Sequence, residues 1–285
     1  MKKLDSLKII STWSLYVFLA VFVVVPTFFI IVVSFLQADT LGNINFSFTV
    51  ENFQRLHNPI YFGVLLNSVE IAFVTTVTTL LLAYPLAYII TRLDKKTQFI
   101  VLLLIVLPYW TNSLVRTYSF LVILRADGIV NRILMLFGAI SQPLQLLYTK
   151  GAVVFSMIYL YLPIMFLPIY SSIEKMDRAY IEASKDLGAN TFKTFINVIL
   201  PLTLPGIFAG CVLVFTPCLG LFFISDLIGG GKTVLLGNII RDQFTTTRNI
   251  PFGSAVAVVM MVIALAFIFI YYKLSFSDKK DNLNG

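Results

Sequence analysis

Glu182-Ala183-Ser184-Lys185-Asp186-Leu187-Gly188, followed after nine intervening residues by Val198-Ile199-Leu200-Pro201, is a polar stretch set between two long apolar runs. Its pattern is helical: Met176, Tyr180, Ala183, Ser184 and Leu187 recur at spacings of three and four, making one modest stripe. Asp177 is placed to cap the start of this short helix. Gly188 stands just past its last turn, where a left-handed backbone is cheap for glycine. A second helix is expected to begin near Asn190 or Thr191, with Phe192, Phe195, Ile196 and Ile199 forming an apolar face that runs into the next span. Glu182 and Ala183 then lie near the tip. A small residue there lets a partner approach the backbone, and the neighbouring acid can pair with a cation across an interface. On pattern alone, an amphipathic loop resting on a membrane surface accounts for the stretch equally well.

The rest of the chain places this loop in a membrane protein. Hydrophobic residues make up 58% and charged residues 12%, with a mean hydropathy of +0.90. Soluble domains carry about a quarter charged residues. A span needs about 20 apolar residues, and six such stretches are expected: 12–36, 64–91, 99–124, 149–171, 199–225 and 253–273. The third is the least regular, because Pro108 and the polar run Thr111-Asn112-Ser113 interrupt it. Pro163, Pro168, Pro205 and Pro217 fall inside the fourth and fifth, where neighbouring helices can accommodate them. The expected fold is therefore all-α and integral to the membrane. It has an N-terminal segment 1–11, a transmembrane domain 12–273 with its polar loop at 172–198, and a tail 274–285.

An even number of spans puts both termini on one side. Thirteen Lys and Arg residues fall on the side of the termini, including Arg92, Lys95, Lys96, Lys175, Arg178, Lys185 and Lys193, against eight on the other. The positive-inside rule then makes both termini cytoplasmic. Lys2-Lys3 before an apolar run resembles a signal peptide, but the run of about 24 residues exceeds a signal core, so it reads as an uncleaved span. The net charge of +7 belongs to these loops rather than to a nucleic-acid surface. Cys211 and Cys218 lie seven helical residues apart, roughly 10 Å, too far for a disulfide. His57, the single histidine, sits in a polar loop. Neither a metal-ligand spacing nor a histidine-based catalytic set is present.

The polar loop resembles the EAA loop of the permeases of binding-protein-dependent ABC importers: Glu-Ala-Ala, three residues, Gly, nine residues, then Ile-x-Leu-Pro. This chain matches at Glu182, Ala183, Gly188, Leu200 and Pro201, and departs at Ser184 and Val198. Pro108-Tyr109-Trp110-Thr111-Asn112-Ser113-Leu114-Val115-Arg116, Tyr170–Lys175, Ser225-Asp226-Leu227-Ile228-Gly229-Gly230, Gly237-Asn238-Ile239-Ile240 and Gln243-Phe244 make it similar to the spermidine/putrescine branch of that family, over about residues 50–270. The resemblance implies a six-helix MetI-like permease (type I importer) in a bacterial cell membrane. It implies two ATPase subunits gripping Glu182, Ala183 and Gly188, a second homologous permease, and an extracytoplasmic polyamine-binding protein. ATP and magnesium would be used by the ATPase, with no cofactor bound by this chain.

A path for a polycation needs carboxylates and aromatic faces, and ionisable groups in spans usually line an aqueous route. Trp110, Asn112 and Asp226 are the expected pathway residues, with Glu70 and Tyr109 beside them. Packing or interfacial anchoring also accounts for Trp110, and Asp226 could simply begin an outer loop or pair with Lys232. Gly229-Gly230-Gly231-Lys232-Thr233 imitates a phosphate-binding loop, but Asp226 stands where that motif needs its first glycine. Gly206 and Gly210 form a GxxxG pair, whose commonest meaning is close packing inside the bundle. Rival readings are an importer of thiamine, iron or another organic solute, a membrane-embedded enzyme, and a stand-alone channel.

Overall fold

The computed structural model of the chain describes residues 12–39 and 44–281, with side chains as far as Lys273. The expected cytoplasmic N-terminus 1–11, with Lys2, Lys3 and Lys8, lies outside the described residues, as do the side chains of the expected tail 274–285. Five helices among the described residues are long and apolar enough to cross a bilayer: α1 (Thr12–Ser34), α3 (Pro59–Ile90), α7 (Lys150–Glu174), α9 (Thr191–Cys218) and α12, apolar over Ile250–Lys273. A bent pair supplies a sixth candidate. Its arms, α4 (Lys95–Trp110) and Ser113–Leu136, meet at 94°. The second arm consists of α5 (Ser113–Leu124) and α6 (Ile129–Leu136).

The bend falls inside the stretch read as the third span, 99–124, and its chemistry is local. Pro108 starts a tightened last turn, Leu107–Trp110, after which Thr111 is extended. Asn112 then caps a new helix, its side chain accepting from the N–H of Leu114 at 2.8 Å. The stretch read as the fifth span, 199–225, is likewise helical only to Cys218. A separate short helix, α10 (Phe222–Leu227), follows, and then α11 (Leu236–Thr245).

Two compact units emerge from the packing. One comprises residues up to Gly63 together with Ile239–Val262. In it two short strands, β1 (Leu36–Ala38) and β2 (Ile44–Phe48), pair antiparallel and add the only sheet among the described residues to the helical frame. Phe35 stacks on Phe48, with ring centroids 5.5 Å apart. Asn52 of α2 (Glu51–Arg55) donates to the carbonyls of Ser34 and Leu36 at 3.0 and 2.8 Å, satisfying groups left open where α1 ends. Arg55 lies 4.5 Å over the ring of Phe252, which also meets Tyr61 edge-on.

The other unit, Val64–Asn238 with the chain from Ile263, is built on α7 packed against α9. Val153, Met157, Met165, Phe166 and Ile169 of α7 are fully buried. The GxxxG pair fulfils its packing role here. A Cβ on Gly206 would stand 2.5 Å from the carbonyl oxygen of Pro168, and one on Gly210 would stand 2.7 Å from the sulfur of Met165. The two backbones can approach this closely only because both side chains are absent. The far half of α12 joins α9 through Phe215–Phe267 and Phe208–Tyr271, at 4.1 and 4.3 Å. α3 turns a hydroxyl-rich stripe inward, and Thr76 and Thr79 return their protons to carbonyls four residues back. Most of α1, by contrast, is exposed apolar surface, as a lipid-facing helix requires.

Candidate coupling loop and translocation residues

The polar loop folds as two helices about a glycine. Asp177 accepts from the N–H of Ala179 at 3.0 Å and opens α8 (Ala179–Asp186). Gly188 has φ +80°, and two bonds close the helix: Gly188 N–H to Lys185 and Ala189 N–H to Ser184. This Schellman pattern needs a residue free to adopt the left-handed region, so glycine is required here. Asn190 caps α9, accepting from Lys193 N–H at 2.8 Å.

Glu182 and Ala183 are exposed on α8, as the loop's tip requires. The stripe divides differently from its helical spacing. Ser184 is buried, whereas Leu187 is 88% exposed and Phe192 is 70% exposed. Of the residues that sequence periodicity grouped as a stripe, only Ser184 is buried; Tyr180, Ala183 and Leu187 are exposed, as is Phe192 of the second helix's apolar face. Exposed bulky apolar groups on a polar loop suit burial against a partner or against a membrane surface. A cleft of about 570 Å³ opens at the other side chains of α8, lined by Tyr88, Arg92, Lys95, Glu174, Arg178, Glu182 and Lys185 among others. Lys95 pairs with Glu174, and Gln98 donates to Tyr170 and Glu174 at 2.7 and 3.1 Å. These contacts tie the start of α4 to the end of α7. Asp94 caps α4, and the N–H of Thr97 holds its carboxyl below the usual carboxylate range.

The expected pathway residues occupy three places. Tyr109, Trp110 and Asn112 sit together at the bend between α4 and α5, where Trp110 is 82% exposed and Asn112 is committed to capping. Arg116, one turn into α5, is buried with its guanidinium 5.4 Å over the Tyr109 ring. Asp226 lies on α10, which packs against α5. Its carboxylate accepts from Asn238 Nδ2 at 2.6 Å, and Asn238 in turn accepts from the N–H of Leu235. Asn238 reaches Asp226 because Gly237 lies directly against Gly220, where a Cβ would stand 2.1 Å from the Gly220 oxygen. Glu70 is elsewhere on α3, in an exposed ion pair with Lys150 at 2.6 Å.

The glycine run after Asp226 also has a packing explanation. Gly230 takes φ +58° and lies against the ring of Tyr148, while Tyr148 N–H donates to Ile228 at 2.8 Å. The run seats an aromatic ring. Arg116, Asn238 and the buried Ser184 carried no individual signal in the sequence. Arg116 and Asn238 lay inside stretches quoted for their resemblance, and Ser184 read as a mild departure from a motif.

Comparison with known proteins agrees with this geometry. Residues 79–277 match the family model described as a binding-protein-dependent transport system inner membrane component. The chain is 44% identical over 265 residues to the spermidine/putrescine transport system permease protein PotB of Haemophilus influenzae, covering 93% of this chain and 91% of that protein. It is 42% identical over 257 residues to PotB of Escherichia coli K12, covering 90% and 94%. In fold it is similar to a chain of a bacterial ABC transporter involved in the import of the acidic polysaccharide alginate, with a TM-score of 0.78 at 16% identity over 96% of both chains. The chain is a transport permease, and it belongs to the family of binding-protein-dependent transport system inner membrane components.

Proposed function

We propose that this permease imports polyamines, spermidine or putrescine, as one half of a translocation pathway. The observation that carries the reading is the 44% identity to a spermidine/putrescine permease across 93% of the chain. A second, homologous permease supplies the other wall. An extracytoplasmic binding protein delivers cargo, and two ATPase subunits drive the cycle, using ATP and magnesium that this chain does not bind. Both termini lie in the cytoplasm, on the side of α8.

The coupling role falls to Glu182, Ala183 and Gly188. The exposed tip of α8, the left-handed turn at Gly188 and the uncovered Leu187 and Phe192 favour a loop seated in a partner's cleft. Closure of the ATPases on ATP would draw two such loops together, open the pathway outward and admit cargo. Hydrolysis would then reset it.

Trp110, Tyr109 and Asn112 at the bend, with Asp226 on α10, which packs against α5, form the cargo-contacting set. Glu70 serves at its outer approach. Aromatic faces and a carboxylate along one path suit an ammonium group that must be held and then released. The test is spermidine-stimulated ATP hydrolysis by the reconstituted complex with loaded binding protein. Stimulation supports polyamine import. Its absence, with hydrolysis still stimulated by another cargo, assigns the chain to that cargo.

A further inference from the structure

Within the coupling loop one buried polar contact does something its exposed surroundings do not require. The Ser184 and Thr194 hydroxyls lie 3.0 Å apart and both residues are buried, ten positions apart in sequence. Ser184 is fixed twice, since its carbonyl also receives the Ala189 N–H that closes α8. Thr194 directly precedes a π turn, Phe195–Ile199, in which the N–H of Leu200 reaches back five residues to Phe195. Pro201 follows. Having no N–H, it leaves the Asn197 carbonyl without its ordinary helical donor, and the widened turn falls at that point.

The π turn is held from its other side. Phe195 meets Tyr84 and Tyr88 of α3 edge-on, at 5.7 and 6.2 Å. Thr203 donates to the Ile199 carbonyl at 2.9 Å, and its hydroxyl lies 3.0 Å from that of Tyr84. The irregular turn thus has a rigid attachment to α8 below it and a hydroxyl and aromatic seat on α3 above it.

We propose that the Ser184–Thr194 hydroxyl pair clasps α8 to the first turn of α9 as one lever, and that the π turn Phe195–Ile199 is where this lever bends α9. The proposal rests on the importer reading above and adds the route by which motion leaves the loop. Ser184 and Thr194 are positioning residues. They touch neither nucleotide nor cargo. Without the clasp, α8 can follow the ATPase while α9 stays behind.

The experiment is hydrogen exchange on the complete complex, with and without ATP plus vanadate, in the parent, Ser184→Ala, Thr194→Val and Thr194→Ser. In the parent, nucleotide changes exchange in residues 179–190 and 195–204 together. In Ser184→Ala and Thr194→Val the first segment responds as before, and the response of the second falls about threefold to tenfold, the worth of one hydrogen bond. Thr194→Ser keeps the hydroxyl and the parental response. A second segment that responds normally in both clasp variants overturns the proposal even if their unfolding temperature drops, since a merely structural bond would do that. A parent in which only 179–190 responds also overturns it. A parent whose coupling loop ignores nucleotide refutes the importer reading, and the clasp with it. This readout needs no cargo, so an error in the polyamine assignment leaves it intact.

Discussion

Replacing Gly206 by alanine tests whether the close approach of α7 and α9 constrains the fold. The new Cβ would stand 2.3 Å from Ser172 Oγ and 2.5 Å from the Pro168 carbonyl oxygen. The serine hydroxyl can rotate away. The carbonyl belongs to the backbone, so relief to an ordinary contact of about 3.4 Å requires the helices to separate by roughly 0.9 Å at this point. Overpacking of this kind costs about 1–3 kcal/mol, set against a gain of up to about 1 kcal/mol from replacing a helical glycine. The net expectation is a loss of about 0–3 kcal/mol, with impaired transport. Gly151→Ala is the matched control. It lies on the same α7, and its nearest heavy atom would be 4.0 Å away, so only the helical gain remains. Thermal unfolding of the two purified variants in one detergent gives the comparison. If Gly206→Ala unfolds at or above the temperature of Gly151→Ala, the close approach of these helices is not the constraint described here.

Other substitutions probe the remaining parts. Gly188→Val forces a branched residue to φ +80°, at a cost of about 1–2 kcal/mol, and should lower cargo-stimulated ATP hydrolysis more than it lowers the unfolding temperature. Leu187→Ser removes an 88% exposed side chain, so the isolated permease should keep its stability. Its affinity for the ATPase should fall about tenfold or more, as expected for a leucine buried only in the complex, and co-purification measures this. Asp226→Asn retains an oxygen for Asn238 but loses the charge, so folding should persist while spermidine-stimulated hydrolysis falls; unchanged stimulation removes Asp226 from the path. The folded Asp94 carboxyl titrates below its ordinary value. Its contribution to the first turn of α4 is therefore complete above that value and lost as pH falls through the lowered one. Hydrogen exchange of the turn's amides should show protection falling only there, and Asp94→Asn should abolish the pH dependence.

Local rules with few alternatives were legible in the sequence. Gly188 as a left-handed stop, a second helix beginning near Asn190 or Thr191 and the irregularity around Pro108 follow from backbone chemistry confined to a few residues. The close approach at Gly206 and Gly210 was readable as packing for the same reason. What could not be read depended on where distant segments land. The 94° bend needs both Pro108 and the cap at Asn112, and a window of apolar residues registers only their average. The break after Cys218 and the docking of Asn238 on Asp226 depend on Gly220 meeting Gly237, seventeen residues away. Ser184 looked interchangeable with alanine because its partner, Thr194, lies across a turn whose tightness only the structure reveals.

These placements also constrain how force can travel. The polar loop joins α7 to α9, the pair of helices that packs most extensively among the described residues. With Gly206 against Pro168 and Gly210 against Met165, neither helix can slide along the other without driving backbone into backbone. A pull on the loop therefore cannot be spent sliding one past the other. The compliant points lie where backbone bonds are already missing or stretched: Pro163 and Pro168 in α7, and the π turn, Pro201 and Pro205 in α9. Each proline has removed an intrahelical donor, so bending there breaks fewer bonds than bending elsewhere. The pair must then tilt or flex together against α3, whose Tyr84 and Tyr88 bear on the π turn, and carry α10 with them through its contact with α7. Asp226 is on α10. A displacement imposed at Glu182 thus reaches the carboxylate proposed to meet cargo through helix packing alone.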